Sequence, residues 1–171
     1  MFFLKDIYKD QYKKNDSLIL ENDEVISYGE LTKKIEEFSK NIKKRSLIFL
    51  ICKNSFESIV GYLGSIKSNC VISLIDEKIN NDSLINLVNN YHPDFIFFDK
   101  KRLNNLENFS TSFTLKSFEL LEAKKKIQKK LNDNLALLIS TSGSTGSPKL
   151  VRQSISNLNH NTNSIIEYLN I

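Results

Sequence analysis

Ten consecutive residues, Ser140-Thr141-Ser142-Gly143-Ser144-Thr145-Gly146-Ser147-Pro148-Lys149, hold two of the chain's five glycines, one of its two prolines and six hydroxyl side chains, and end on a lysine. Those residue types in that order suit the holding of a phosphate. Glycine allows positive φ and lets the backbone approach an anion closely. Successive backbone N–H groups can then converge on one concavity. Serine and threonine hydroxyls rotate to donate to phosphate oxygens. Lys149 carries a positive charge at neutral pH, and Pro148 stiffens the approach to it.

The spacing rules out three better-known loops. A Walker loop needs Gly, four residues, then Gly-Lys-Ser/Thr; counting from Gly143, the second glycine position falls on Pro148. A dinucleotide fingerprint needs Gly-x-Gly-x-x-Gly, whereas Gly143 and Gly146 are three apart with no third glycine following. A Ser-x-x-Lys nucleophile would need serine at 146, which is glycine.

A loop of this kind must be presented by rigid elements. Leu135 to Ser140 is a continuous apolar run and predicts an interior strand buried on both faces. Leu150 to Arg152 predicts a brief strand, and Ser154 an N-cap for a helix carrying Leu158, Ile165, Ile166 and Leu169. Upstream, apolar runs at Leu47–Ile51, Val71–Ile75 and Phe95–Phe98 alternate with helical patterns at Phe56–Leu63 and Leu84–Val88, the latter stopped by His92-Pro93. That alternation predicts an α/β fold with a mostly parallel sheet flanked by helices. Leu31, Ile35, Phe38 and Ile42 predict an earlier amphipathic helix. Residues 17–20 and 24–27 predict a hairpin at the sheet edge, and residues 3–14 and 123–131 predict helices. Lys100 to Leu121 reads as short strands or loop. The final apolar positions Ile165, Ile166 and Leu169 need cover, so an exposed apolar surface and self-association are expected. A chain closing on an apolar helical residue, Ile171, reads as cut.

Composition narrows the function classes. At 40% hydrophobic and 26% charged residues the chain has an ordinary globular make-up. The net charge of +4 is mild. Its one lysine-dense stretch, Lys124 to Lys126 with Lys129 and Lys130, reads as a solvated helix face, so no nucleic-acid partner is expected. Cys52 and Cys70 lie far apart in apolar runs, and His92 and His160 have no partner at metal-ligand spacing; neither a disulfide nor a metal site is expected. No signal peptide or membrane span is expected either, which points to a cytoplasmic location.

Residues Thr141 to Lys149 also match, without a gap, the signature Thr-Ser-Gly-Ser/Thr-Thr-Gly-x-Pro-Lys-Gly-Val of the adenylate-forming enzymes (acyl-CoA synthetases, nonribosomal adenylation domains, luciferases), and Val151 matches too. Ser154-Ile155-Ser156-Asn157-Leu158 is similar to the family's next segment, Ser-His-x-Asn-Leu, with Ile155 for the usual His; Leu150 replaces the usual Gly. Ser27-Tyr28-Gly29-Glu30-Leu31 resembles the family's Thr-Tyr-x-Glu-Leu, and Gly61–Lys67 through Ile75-Asp76 its Leu-Lys-Ala-Gly-Ala-Ala-Tyr-Val-Pro-Leu-Asp segment, with Ser73 where proline would stand.

The resemblance covers nearly the whole chain. It implies that residues 1–171 are the N-terminal portion of an AMP-binding domain, incomplete at its C-terminal side. It implies ATP and a carboxylate as substrates, an acyl-adenylate and pyrophosphate as products, and the thiol of coenzyme A or a carrier protein as acyl acceptor. Thr141, Ser142, Gly143, Ser144, Thr145, Gly146 and Lys149 would hold the β- and γ-phosphates, with Mg2+ expected on charge grounds. The family's adenine and ribose contacts, acyl pocket and C-terminal lid lie outside the matching segments. No catalytic residue is therefore assigned, and the chain alone is expected to be inactive, awaiting a missing subdomain or partner chain. A non-catalytic nucleotide-binding or interaction module and a truncated relic are the alternative readings.

Overall fold

The computed structural model describes residues 7–102, 106–127, 129–140 and 150–170. Its first regular elements meet at Ser27. Strands β1 (Asp16–Ile19) and β2 (Val25–Ser27) pair antiparallel, and Ser27 ends β2 while capping helix α1 (Tyr28–Ser39). The cap is reciprocal: the Glu30 N–H donates to Ser27 Oγ at 3.2 Å, and the Ser27 N–H donates to Glu30 Oε2 at 3.0 Å. Because β2 runs directly into α1, the hairpin forms its own two-stranded sheet, not the edge of the main sheet that the sequence predicts. Of the helix predicted over residues 3–14, Ile7 is helical and Asp10–Tyr12 form a short 3-10 turn, so the helix does not continue to residue 14; residues 3–6 lie outside the described residues.

From Leu47 the chain alternates as predicted: β3 (Leu47–Cys52), α2 (Phe56–Lys67), β4 (Val71–Asp76), α3 (Asn81–Tyr91), β5 (Phe95–Asp99). A hairpin comes next, β6 (Phe109–Leu115) and β7 (Phe118–Ala123), then β8 (Leu135–Ser140), β9 (Leu150–Ser154) and α4 (Ile155–Leu169). The seven-stranded sheet has the order β6-β7-β5-β3-β4-β8-β9. Its centre, β5-β3-β4-β8, is parallel, and β7 and β9 run against their neighbours. The α/β architecture with a mostly parallel sheet therefore stands, with antiparallel margins.

Alternation along the strands sorts their side chains into two cores. Ile48 and Leu50 of β3 and Phe95 and Phe97 of β5 join Ile35, Phe38 and Val60 of α1 and α2 on one face. Phe49, Ile51, Ile96 and Phe98 join Leu84, Leu87 and Val88 of α3 on the other. Strands buried on both faces read as unbroken apolar runs, which is why they are visible in the sequence. Leu137 and Leu138 of β8 divide between the two cores in the same way.

No helix covers the described residues of 123–131. The strand β7 runs to Ala123, so Leu120 and Leu121 are strand residues and not the start of a helical face. What remains has too few apolar positions to bury a helix: Ile127 is exposed. Polar contacts pin the segment instead. Lys124 Nζ donates to the Glu107 carbonyl at 2.9 Å, and Lys129 pairs with Asp94 at 3.0 Å. No described helix is long and apolar enough to cross a membrane.

Two small residues test the packing. A Cβ on Gly61 of α2 would lie 2.6 Å from Phe97 Cδ1, so this helix sits on β5 only because position 61 has no side chain. Gly61→Ala should destabilise by about 1–3 kcal/mol through overpacking, in spite of alanine's better helix propensity. Ser73 is fully buried in β4 and its Oγ has no hydrogen-bond partner among the described residues. Ser73→Ala should leave stability equal or raise it by up to about 1 kcal/mol. Urea midpoints measure both, and the reverse order of effects would contradict this packing.

Candidate functional site

The predicted phosphate loop joins β8 to β9. These strands pair antiparallel with Ser140 opposite Leu150, Ile139 opposite Val151 and Leu138 opposite Arg152. Residues 141–149 therefore span two strand ends that the sheet holds side by side. The candidates Thr141, Ser142, Gly143, Ser144, Thr145, Gly146 and Lys149 lie outside the described residues. The frame around them is described.

β8 is fixed along its length. Ile72, Ser73 and Leu74 of β4 pair with Leu137, Leu138 and Ile139. At its amino end Arg45 reaches across from the turn before β3: its Nη1 donates to the Leu135 carbonyl at 2.9 Å and to the Asn69 carbonyl at 3.3 Å, and its Nη2 donates to the Asn132 carbonyl. Arg45 thus ties together the amino ends of β3, β4 and β8. No sequence pattern singles it out, because its partners are backbone carbonyls up to 90 residues away.

β9 is fixed by its own packing and by the helix attached to it. Leu150, where the resembling family has glycine, packs against the second core. Ser154 caps α4 as predicted, its Oγ accepting from the Asn157 N–H at 3.1 Å. Ile155, in the place of the family's histidine, donates its N–H to the Asn134 carbonyl at 3.1 Å. Leu150 therefore anchors the loop's far strand by its side chain, whereas the bond at Ile155 is made by the backbone and is independent of the residue type.

The loop leaves β8 at its carboxyl end, where β3, β4 and β5 also end, at Cys52, Asp76 and Asp99. Open parallel sheets bind ligands outside that edge. Polar groups gather there. Lys53 Nζ and Asp99 Oδ2 form an ion pair at 2.5 Å. Arg102 donates to the Glu77 carbonyl at 2.9 Å and to Asn81 Oδ1 at 2.6 Å, bracing the turn after β4. Burial works to raise the Asp99 carboxyl, but hydrogen bonds from Lys53 and from the Lys101 N–H prevail and hold it below the usual carboxylate range. The Asp99 hydrogen bond raises Lys53.

Among the described residues no group of three or more His, Cys, Asp or Glu side chains is placed to hold a metal. Cys52 and Cys70 are unpaired, and burial pushes both thiols up, against the reactive thiolate. His92 closes α3 in the left-handed conformation, φ 48°.

A family model described as AMP-binding enzyme matches residues 8–170. No curated protein matches the chain by sequence. Solved structures match by fold. ATP-bound MatB from Rhodopseudomonas palustris superposes with a TM-score of 0.74 at 17% identity, over 95% of this chain and 36% of that one. O-succinylbenzoate coenzyme A synthetase (MenE) from Bacillus subtilis, in complex with AMP, gives 0.66 at 17% identity, over 92% and 43%. The fatty acyl-adenylate ligase from L. pneumophila, in complex with acyl adenylate and pyrophosphate, gives 0.68 at 24% identity, over 96% and 31%. The chain thus spans between about a third and two-fifths of the length of these proteins.

The Lys53–Asp99 pair predicts a pH signature. Asp99 has a lowered pKa in the folded state, so its contribution is present above the unfolded carboxylate value and lost as pH falls through the folded one. Lys53 has a raised pKa, so its contribution is lost only as pH rises above about 10.4. Asp99→Asn should therefore lower the urea midpoint between about pH 5 and 10, and the gap to the unaltered protein should close below about pH 4. A gap that persists undiminished at low pH would mean that the pair does not stabilise this edge.

Proposed function

Because the chain belongs to the AMP-binding enzyme family, we propose that it supplies the phosphate-holding part of an ATP-dependent, AMP-forming ligase, one that activates a carboxylate as an acyl-adenylate for transfer to a thiol. The observation that carries this reading is the junction of sequence and frame. The gap-free signature Thr141–Lys149 falls between the paired ends Ser140 and Leu150, at the carboxyl edge of the parallel strands. The ligands of the similar structures, ATP, AMP, and acyl adenylate with pyrophosphate, belong to those proteins and agree with the same chemistry here.

On this reading the backbone N–H groups around Gly143 and Gly146, the hydroxyls of Thr141, Ser142, Ser144 and Thr145, and the Lys149 ammonium hold the β- and γ-phosphates. They act by position and charge while a carboxylate attacks the α-phosphorus and pyrophosphate leaves. Mg2+ would travel with the polyphosphate, neutralising it; the described residues offer no acidic cluster for it. Coenzyme A or a carrier protein is the proposed acceptor. Residues 1–171 would form the N-terminal portion of the AMP-binding domain. One observation favours a second reading, a nucleotide-binding module without catalysis: the chain covers only 31% to 43% of the similar proteins.

Two measurements test this. The purified chain should give no carboxylate-dependent exchange of labelled pyrophosphate into ATP; clear exchange would overturn the expectation that the chain alone is inactive. By calorimetry the chain should bind pyrophosphate weakly, and Lys149→Ala should weaken binding by about 1–3 kcal/mol, the range for hydrogen bonds to charged groups. Gly146→Val should weaken it by denying the backbone its conformation. Lys125→Ala and Lys130→Ala should cause only small, salt-screened changes. If those two lysines matter as much as Lys149, the binding is diffuse charge attraction and the loop has no special role.

A further inference from the structure

A groove of about 640 Å³ lies between the β1–β2 hairpin and the start of α2, and reaches Lys53 at the carboxyl end of β3. Its size falls in the range of small-molecule sites. Leu18, Leu20, Phe56 and Ile59 give it apolar walls, and Ile19 stands 73% exposed at its rim. One lining residue is out of character with those walls. Glu57 is only 8% exposed, and the contact described for its carboxylate is a hydrogen bond from Ser117 Oγ to Oε1 at 3.2 Å. Drawing a carboxylate out of water is costly, and the Lys53 ammonium interacts with Glu57 by charge without forming an ion pair with it.

The cations nearby are engaged elsewhere. Lys53 is held by Asp99 at 2.5 Å, and Lys116 reaches Glu24 at 3.5 Å with its ammonium over the Phe56 ring. Neither forms an ion pair with Glu57 among the described residues. The lining carries three carboxylates, Glu21, Glu24 and Glu57, against those two ammonium groups. An apolar-walled groove with a buried, under-partnered carboxylate and an acidic balance suits one class of ligand.

We propose that this groove binds a small primary ammonium ion with an apolar body. The ammonium would take the free lone pairs of Glu57, and the apolar body would lie along Leu18, Leu20, Phe56 and Ile59. The proposal does not depend on the reading of the phosphate loop.

Hexylammonium is the probe, followed by amide NMR on the full chain, with 1-hexanol and hexanoate as neutral and anionic counterparts. Hexylammonium should move the amides of residues 18–24 and 53–59, and 1-hexanol and hexanoate should bind at least about tenfold more weakly, as expected when a charged hydrogen bond is lost. Glu57→Gln keeps the side-chain shape and should cost a similar factor for hexylammonium while leaving 1-hexanol unchanged. Ser117→Ala leaves the charge in place and should retain binding. Should Glu57→Gln fail to fold, the comparison of the three probes on the unaltered protein still decides. Equal binding of hexylammonium and 1-hexanol, shifts located elsewhere, or indifference to Glu57→Gln in a folded variant would each overturn the proposal.

Discussion

The burial of four parallel strands on both faces is the constraint that sets the geometry of everything else. β5, β3, β4 and β8 place alternate side chains into two separate cores, so neither face can shift without unpacking the other. A one-residue slip in any of these strands would exchange its two sets of side chains. The register is therefore fixed, and with it the line along which the carboxyl ends of the strands stop. The β8–β9 junction inherits its position from that line. Arg45 reinforces it from the opposite end by bonding to carbonyls before and within β8. The two ends that residues 141–149 join are thereby held side by side by the sheet.

The same physics explains how much is legible in the sequence. Strands buried on both faces cannot hold many polar residues, so β3, β4, β5 and β8 stand out as apolar runs. The capping serine at 154 is visible because a cap is a local arrangement of three or four residues. Elsewhere the sequence is ambiguous or misleading. β6 carries Thr111, Ser112 and Thr114 toward solvent at the sheet margin, so no apolar run marks it. Residues 124–131 come after a strand whose leucines mimic the beginning of a helical face. The Arg45 clamp and the Lys129–Asp94 pair join residues far apart in sequence, and no local pattern signals such contacts. For the candidate site, residue types and spacing carry the chemistry and mark β8, β9 and the Ser154 cap, while the strand pairing and the Arg45 clamp emerge only with the fold.

Parts of the sheet and of α4 remain apolar and uncovered. Ile139 and Val151, opposite one another on β8 and β9, are 40% and 41% exposed, directly beside the junction. On α4, Ile165, Ile166 and Leu169 are exposed, and the helix has no fully buried residue. Leu158 is its contact with the first core. Contiguous apolar surface of this kind marks a place where further polypeptide packs or copies associate. That fits a chain whose fold matches between about a third and two-fifths of longer proteins.

The central claim is that residues 141–149 hold phosphate as a local, backbone-built cradle. Amide NMR of the full chain titrated with pyrophosphate tests it most directly, because it reports on each N–H separately. The account predicts saturable shifts confined to residues 140–151, largest near Gly143 and Gly146. Shifts that are largest in the lysine-dense segment 124–130, or spread evenly over the basic surface and abolished by moderate salt, would contradict it.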